Sequence, residues 1–359
     1  RKTISANGHR FSASRIVIAT GSRPASPPVE GLASASPLTN ESLFDLSEQP
    51  EHLVVLGGGP IGCEMAQAFT LLGTRVTMIE REERLLPRDD PQAGDVVQTV
   101  LDRQGVNVRT GAAATLVRRS TGSGRSFVHL EGSEPIEADQ VLVAAGRTPV
   151  TSGLDVDRAG VRLNQRGAVE VDTTMVTSAS GIWAVGDVTG GMQFTHAAGR
   201  MALVATANAF GRRFGPRQHF DESVVPWVTY VDPEVAHVGM TESQAAAHGG
   251  RVAWLPLDEV DRALTSGHTD GFVKLIAGPR RLIGNAGGGR LLGATIVAPR
   301  AGEMIHEIAL AMRTNMFTGR LAQTVHAYPT WSMAIQEAAA QFFVEHKGRV
   351  ASPARAGTG

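Results

Sequence analysis

Short runs of β-branched and aliphatic residues recur along the first half of the chain, separated by stretches that carry apolar residues at helical spacing. The clearest unit has an apolar run at 52–56, a glycine-rich segment at 57–62, a helical pattern closed by Gly73, and a second apolar run at 75–80. Short apolar runs joined by a helix indicate parallel strands with a crossover helix. We therefore predict an α/β unit here.

Two further segments repeat one pattern. The runs at 16–21 and 141–146 are both apolar and end in Ala-x-Gly, and a proline follows each glycine, at Pro24 and Pro149. Self-similarity of this kind indicates two copies of one architectural unit. The second copy closes the domain that opens at Gly57, whereas no glycine loop precedes the first copy in this chain. We expect one complete dinucleotide-binding domain and one incomplete one.

The C-terminal third changes to a mixed α+β pattern. Apolar runs at 272–276 and 291–297, with a glycine-rich turn between them, predict an antiparallel pair, and the Thr241-Glu242 pair predicts the start of a helix. Helical patterns follow at about 302–314 and about 333–345. From residue 348 the sequence is rich in Ala, Gly, Pro and Arg without an apolar period, so we expect a disordered tail.

Composition limits the classes of function. The length of 359 residues suits two or three domains, and the net charge of -1 argues against a nucleic-acid partner. No apolar run approaches the ~20 residues that cross a bilayer, so we expect no membrane partner. The chain starts at Arg1 without a Met or a secretory signal, which indicates a processed chain or a fragment. Its single cysteine, Cys63, forms neither an internal disulfide nor an intrachain redox pair, and we expect a cytoplasmic protein.

The segment from Gly57 to Gly62 has the spacing of a dinucleotide-binding loop. In this pattern Gly57 allows a tight turn, Gly59 lets a pyrophosphate approach the backbone, and Gly62 lets the helix pack closely on the strand. The helix N-terminus that follows offers N–H groups and a partial positive charge to phosphate. The loop, the flanking strands and the helix together predict a nucleotide site.

Two acids complete the candidate nucleotide chemistry. Glu80 ends the second strand, where an acid accepts hydrogen bonds from an adenosine ribose and repels a 2′-phosphate. NADH is therefore preferred over NADPH, although Arg81 and Arg84 leave NADPH open. Asp187 ends an apolar run before a helical pattern at about 196–210, where an acid either holds a ribose or ribityl hydroxyl or caps the helix.

Five motifs in order resemble the class I pyridine nucleotide–disulfide oxidoreductases: ATGSRP at 19–24, GGGPIGCE at 57–64, AAGRTP at 144–149, GIWAVGDV at 181–188 and HAYPT at 326–330. The resemblance extends over nearly the whole chain. It implies two Rossmann-like domains, for FAD (incomplete here) and NAD(P)H, and a C-terminal α+β dimerisation domain of a homodimer. The implied ranges are 1–50 (remnant of the FAD-binding domain), 51–148 (NAD(P)-binding domain), 149–219 (return segment of the FAD-binding domain), 220–347 (dimerisation domain) and 348–359 (tail).

The resemblance also implies roles for individual residues. Glu64 is similar to the family's acid beside the flavin and nicotinamide rings, and Tyr328 lies in the loop that reaches the partner's flavin. The remaining implied contacts are with FAD (Thr20, Gly21, Gly186, Asp187), with NAD(P)H (Gly57, Gly59, Pro60, Ile61, Gly62, Glu80) and near the bound nicotinamide nucleotide (Gly146, Arg147).

The chain departs from the thiol-processing branches of this family. Dihydrolipoamide dehydrogenase and glutathione reductase keep a histidine and a glutamate where this chain has Tyr328 and Met333. A phenol with a pKa near ~10 is a poor base at neutral pH, so their usual chemistry is disfavoured. Mercuric reductase carries a tyrosine at this place, but its C-terminal cysteine pair is absent here. The family's C-x4-C redox pair would fall before Arg1.

We therefore expect a mercuric-reductase-like enzyme that passes hydride from NAD(P)H to FAD and on to a dithiol, a metal or another acceptor, which the sequence leaves unassigned. The alternatives are a dihydrolipoyl dehydrogenase-type thiol–disulfide oxidoreductase and a diaphorase or NADH oxidase without a dithiol. From another class, a nucleotide-binding structural subunit or a non-functional fragment stays open. We interpret Cys63 as a buried small apolar residue, and His326 as a packing or interface residue among apolar neighbours.

Overall fold

The computed structural model describes residues 2–211 and 215–357. Its strands are β1 (Lys2–Ala6), β2 (His9–Ala13), β3 (Ile16–Ile18), β4 (Ser22–Pro24), β5 (His52–Leu56), β6 (Arg75–Ile79), β7 (Asn107–Arg109), β8 (Ala114–Arg119), β9 (Ser126–Leu130), β10 (Ile136–Ala138), β11 (Gln140–Val143), β12 (Arg147–Pro149), β13 (Ile182–Ala184), β14 (Trp227–Thr229), β15 (Glu234–Gly239), β16 (Arg251–Pro256), β17 (Phe272–Gly278), β18 (Arg290–Ala298) and β19 (Ser352–Pro353). Its helices are α1 (Pro60–Leu71), α2 (Pro91–Gln104), α3 (Thr195–Phe210), α4 (Glu242–Ala246), α5 (Asp261–Ser266), α6 (Ala301–Arg313), α7 (Thr318–Gln323) and α8 (Met333–Ala340).

The described residues form two compact units. One joins the start of the chain through Ala25 with 146–222, and the other joins 26–145 with the chain from Ser223 onward. The expected flavin-domain remnant at 1–50 is thus divided, because residues 26–50 belong with the second unit. Leu38 explains the division: its backbone N–H donates to the Val141 carbonyl, its carbonyl accepts from the Val143 N–H, both at 2.8 Å, and its side chain is buried in that unit.

A four-stranded parallel sheet in the order β11-β5-β6-β7 carries the glycine loop. Every residue of β5 is buried, as the apolar run predicts for a central parallel strand. The predicted strand–helix–strand unit is confirmed by β5, α1 and β6. An additional antiparallel sheet, β10-β9-β8, follows in the chain and was not expected. Buried and more accessible residues alternate along β9, so this sheet lacks the continuous apolar runs that mark β5.

The third sheet of the second unit is antiparallel and has six strands, in the order β14-β15-β18-β17-β16-β19. The expected antiparallel pair is confirmed, since β17 and β18 pair along their length. Thr241 caps α4 through a capping box with Gln244, which confirms the predicted helix start. Helix α8 ends at Ala340, earlier than the predicted 345. There the Gln341 amide bonds both the N–H and the carbonyl of Trp254, at 3.0 and 2.8 Å.

The expectation of a disordered tail from residue 348 is wrong for its central part. Strand β19 extends the sheet by pairing Ser352 with Val252 and Pro353 with Arg251. Ala351 and Ala354 pack against buried apolar clusters, which is what holds the segment on the sheet edge. The last two residues of the expected tail, 358 and 359, lie outside the described residues.

Among its described residues, the first unit contains three two-stranded sheets, one of which is the antiparallel hairpin of β1 and β2. Strand β3 pairs in parallel with β13, and β4 pairs antiparallel with β12. The two repeated sequence segments therefore contact each other directly, with Ser22 opposite Pro149 and Pro24 opposite Arg147. Helix α3 spans Thr195–Phe210, close to the predicted 196–210.

Candidate functional site

The glycine loop after β5 separates glycines that the fold needs from one that it does not. A Cβ on Gly57, whose φ is +117°, would lie 2.6 Å from the Ala144 carbonyl oxygen. A Cβ on Gly62 would lie 1.9 Å from the Gly57 carbonyl oxygen. A Cβ on Gly59 would meet nothing within 4 Å, and the residue has φ -77°. The protein itself therefore tolerates a side chain at 59, and the open space there leaves room for a ligand against the backbone.

The N-terminus of α1 has the chemistry of an anion site. Gly59 is the N-cap and makes no side-chain cap, and Pro60 occupies the first turn, followed by Ile61. The first N–H groups of a helix have no partner within the helix, and the helix dipole places partial positive charge at this end. The open loop and the uncapped turn fit the pyrophosphate of a dinucleotide.

Glu80 lies directly after β6, beside this loop. Its carboxylate is buried, and Oε2 accepts the Gly58 N–H at 2.5 Å while Oε1 accepts the Glu82 N–H at 2.8 Å. Glu80 thus holds the glycine loop in place. Of the two arginines that follow, Arg81 is exposed and pairs with Glu82 at 2.9 Å, and Arg84 is exposed.

Glu64 and Cys63 lie side by side on α1 and differ in environment. Glu64 is partly buried, and its Oε1 accepts the Tyr230 backbone N–H at 2.8 Å. Burial raises the pKa of Glu64, and this hydrogen bond acts in the opposite direction. Cys63 is fully buried, and its thiol donates to the Gly58 carbonyl at 3.3 Å. The full burial of Cys63 confirms its interpretation as a small buried residue, and this burial raises the pKa of the thiol.

In the first unit, a serine that sequence reasoning missed joins two predicted site residues. The Ser22 hydroxyl donates to Asp187 Oδ2 at 2.5 Å and accepts from Arg147 Nε at 2.6 Å. Arg147 Nε also lies 3.6 Å from Asp187 Oδ2. Ser22 stands within the ATGSRP motif, so its place beside Thr20 and Gly21 was the available signal.

The surroundings of this cluster exclude one earlier alternative. Asp187 lies in a short 3-10 turn, Gly186–Thr189, whereas α3 begins only at Thr195 and has Phe194 as its N-cap. Asp187 is therefore not the cap of α3. Nearby, the Thr20 hydroxyl donates to the Val150 carbonyl at 2.6 Å. Gly21 and Gly146 have φ of +71° and +112°, and a Cβ on either would meet nothing within 4 Å.

The HAYPT segment presents a phenol and a carboxylate-held imidazole. Tyr328 is 69% exposed, and its hydroxyl donates to Asp261 Oδ2 at 2.9 Å. Asp261 raises the pKa of Tyr328 through this hydrogen bond and through its charge. His326 Nε2 lies 3.1 Å from both Glu307 carboxylate oxygens, and its Nδ1 lies 3.0 Å from the Thr324 carbonyl. The expected apolar surroundings of His326 are thus wrong, since Glu307, a partly buried acid on α6, is its partner.

Two classes of site are not found in the described part of the chain. Residues 2–211 and 215–357 contain no group of three or more His, Cys, Asp or Glu residues arranged to hold a metal ion. Within the same residues, every helix is too short or too polar to span a bilayer.

Comparison with known proteins identifies relatives across both units. The profile of the pyridine nucleotide-disulphide oxidoreductase family matches residues 1–202, and that of its dimerisation domain matches residues 225–339. Mercuric reductase from Bacillus cereus is 37% identical over 95% of this chain and 53% of its own length. Dihydrolipoyl dehydrogenase from Thermus scotoductus is 35% identical over 94% of this chain and 72% of its own length.

Solved structures agree with the sequence comparison. LpdA from Mycobacterium tuberculosis superimposes with a TM-score of 0.84 at 31% identity, over 95% of this chain and 73% of that one. The HOCl-induced flavoprotein disulfide reductase RclA from Escherichia coli, in its Cu(II) complex, gives 0.81 at 32% identity, over 91% and 73%. The chain spans only 53% and 61% of the length of two of its mercuric reductase relatives. With a family match over both of its parts, the chain belongs to the pyridine nucleotide-disulphide oxidoreductases.

Proposed function

We propose that the protein is a FAD-dependent NAD(P)H oxidoreductase, and that the glycine loop after β5 is its nicotinamide nucleotide site. When bound, NAD(P)H supplies a hydride, which FAD accepts and passes on as two electrons to a further acceptor. The observation that carries the proposal is the open space beside the backbone of Gly59. This residue lies between Gly57 and Gly62, two glycines that the fold itself requires. A loop built only for a tight turn has no need of a glycine at 59.

In the second unit, the glycine loop would bind the pyrophosphate of the nucleotide and Glu80 would bind its adenosine ribose. Gly57, Gly59, Pro60, Ile61 and Gly62 would surround the pyrophosphate, with the N–H groups of the first turn of α1 donating to it. Glu80 would accept from the adenosine ribose with lone pairs that the Gly58 and Glu82 N–H groups leave free, since each carboxylate oxygen carries two. Its negative charge supports a preference for NADH.

The cluster in the first unit supports an FAD site. Asp187 would accept from a ribityl hydroxyl, and Thr20, Gly21 and Gly186 would lie along the flavin nucleotide. Ser22 and Arg147 hold the Asp187 carboxylate in one orientation. The resemblance places Gly146 and Arg147 near the bound nicotinamide nucleotide. In this proposal Arg147 also orients Asp187 through their ion pair.

The proposed reaction residues are Glu64 and Tyr328. Glu64 would lie beside the nicotinamide and flavin rings, where the charge of a partly buried carboxylate acts directly on the reacting groups. Tyr328 is exposed and would reach the partner's flavin in a homodimer, a state supported by the match to the dimerisation domain. We propose a mercuric-reductase-like enzyme whose electron acceptor is a small molecule of unassigned class. Buried Cys63 as the single cysteine supports a location in the cytoplasm.

A second candidate function is a dihydrolipoyl dehydrogenase-type thiol–disulfide oxidoreductase. The observation that favours it is the Glu307 carboxylate on His326, because an imidazole held by a carboxylate can exchange protons with a thiol. His326 stands two residues before Tyr328, and it is Tyr328 that occupies the place of the family's base. A diaphorase or NADH oxidase would need neither residue.

The nucleotide site is tested by replacing Gly59. Gly59→Ala should lower the affinity for NADH by at least about tenfold in calorimetric titration, since a methyl group would occupy the phosphate position. Its melting temperature should be unchanged, because the methyl group meets no protein atom.

Two further glycines provide controls. Gly122→Ala, also in open space, should change neither quantity, and Gly62→Ala should lower both. Native-like NADH binding by Gly59→Ala would refute the assignment of this loop.

A further inference from the structure

The carboxylate of Glu64 is held by a loop rather than by its own helix. Its hydrogen bond comes from the Tyr230 backbone N–H, at 2.8 Å, in the segment that follows β14. The ion pairs within the described residues do not include Glu64. The direction in which Glu64 points therefore depends on where that loop places one N–H group.

The loop is in turn tied to α1 by a second side chain. Gln67 Oε1 accepts the Asp232 N–H at 2.7 Å, and Gln67 Nε2 donates to the Asp232 carbonyl at 2.9 Å. This amide is buried, and a two-way pair fixes both the position and the direction of the peptide that it holds. Gln67 lies three residues after Glu64, on the same face of the helix.

We propose that Gln67 is a positioning residue for Glu64: by clamping the backbone at Asp232, it holds the Tyr230 N–H against the Glu64 carboxylate. The consequence for catalysis rests on the proposed function, in which Glu64 lies beside the reacting rings. Without the clamp the carboxylate loses its donor and turns freely, while it stays in its partly buried position. Burial disfavours its charged form, so loss of the donor leaves that effect uncompensated.

Burial and the Tyr230 N–H shift the pKa of Glu64, and no charged side chain is among the causes of that shift. Cys63 lies beside it on α1, and Tyr230 and Asp232 lie on the loop. The Cys63 thiol is buried with a raised pKa and stays protonated over the range in which a carboxyl titrates. Tyr230 contributes its backbone N–H, and its phenol is 70% exposed. The titration of Glu64 therefore reports on the loop rather than on a change of charge nearby.

The chain offers a matched control. Gln67 Nε2 also donates to Gln104 Oε1 at 3.0 Å, at the end of α2. Gln104→Met removes this helix–helix contact and leaves the pair with Asp232 intact. Gln67→Met removes both contacts with a side chain of similar volume, and Gln67→Leu serves if that variant does not fold.

The experiment is a pH titration of the Glu64 side-chain carboxyl by NMR of the chain labelled at glutamate, without nucleotide, with the signal assigned through Glu64→Gln. Gln67→Met should raise the midpoint by about one pH unit, and Gln104→Met should leave it unchanged. An unchanged midpoint in Gln67→Met, or equal shifts in both variants, would overturn the proposal. Failure of Gly59→Ala to weaken NADH binding would instead overturn the nucleotide site and leave this relationship intact.

Discussion

The Glu80 carboxylate accepts the backbone N–H of Gly58 at 2.5 Å. The acid at the end of β6 and the glycine loop after β5 are thus directly bonded, and Glu80 is only 8% exposed. Sequence spacing assigns this acid to a ribose, but the bond adds a role that needs no ligand. A buried N–H that loses its acceptor carries a free-energy penalty, so the loop depends on the acid for stability.

Glu80 can therefore be tested by two substitutions. Glu80→Ala should lower the free energy of unfolding by about 1–3 kcal/mol, because the Gly58 N–H loses its acceptor, whereas Glu80→Gln keeps an acceptor oxygen and should lose less. In Glu80→Gln the ratio of NADPH to NADH affinity should rise, because the charge that repels a 2′-phosphate is gone. Urea unfolding and calorimetric titration measure the two quantities. Tighter binding of NADPH than NADH by the native protein would contradict the cofactor preference.

Cys63 should be inert in the folded protein. Its thiol is fully buried and its pKa is raised by burial, so the reactive thiolate is not formed at neutral or moderately alkaline pH. A thiol-reactive disulfide dye should label the native chain at the rate of unfolding and the unfolded chain within seconds. Labelling of the native chain at the rate of a free thiol would show that Cys63 is accessible.

The parts of the site that were predictable depend on local sequence. The turn at Gly57 and the close packing at Gly62 follow from the spacing of glycines within one strand–loop–helix unit, and the structure places both as expected. The start of α4 at Thr241 was likewise visible, because a capping box is formed by residues three apart.

The parts that were missed join residues far apart in the chain. Ser22 contacts Asp187, which lies 165 residues later in the sequence, and the local sequence around a serine hydroxyl does not indicate its hydrogen-bond partner. Glu307 on His326 was hidden because it lies in the middle of α6, where an acid is normally a solvated residue. Strand β19 was missed because its two residues pair at the edge of a sheet that only the tertiary fold assembles.

A buried charge cluster in the second unit is the clearest of these long-range features. Lys274 on β17 is 1% exposed, and its ammonium lies 2.8 Å from Glu242 Oε2, 2.8 Å from Gln92 Oε1 and 3.4 Å from Asp90 Oδ1. The Thr295 hydroxyl donates to the other Asp90 oxygen at 2.5 Å. The cluster therefore ties the start of α2 to the antiparallel sheet.

Removing the cation from this cluster should be costly. Lys274→Met leaves the buried Asp90 and the largely buried Glu242 without their cation, and we expect a loss of about 3–5 kcal/mol in the free energy of unfolding. The control is Arg103→Ala, which breaks an exposed ion pair with Asp270 and should have little effect on the free energy of unfolding. Equal losses of unfolding free energy in the two variants, measured by urea unfolding, would show that the buried cluster stabilises the fold no more than a surface ion pair does.

The Tyr328 phenol should ionise above its ordinary range. Loss of its proton breaks the hydrogen bond to Asp261 and places two negative charges together, so the pKa is raised. The chain has 2 tyrosines, and the difference between the ultraviolet pH titrations of the native protein and Tyr328→Phe isolates this one. Asp261→Asn should move the midpoint down toward about 10, because the charge is gone. An unchanged midpoint would show that Asp261 does not hold the phenol in solution.

A neutral phenol at position 328 has a consequence for turnover that separates the two candidate functions. Because Tyr328 keeps its proton near neutral pH, it can donate a hydrogen bond to an acceptor but cannot act as the base for a thiol. In the flavin-loaded protein, Tyr328→Phe should leave reduction of the flavin by NADH within about twofold of native and slow only the step that reduces the acceptor. Dihydrolipoamide turnover by the native protein should be at least about a hundredfold below its NADH-dependent dye reduction, the size of effect that a missing general base produces. His326→Gln is the matched variant, since it removes the imidazole that Glu307 holds. Efficient dihydrolipoamide turnover that His326→Gln abolishes and Tyr328→Phe leaves intact would reverse the order of the two functions and make His326 the working base.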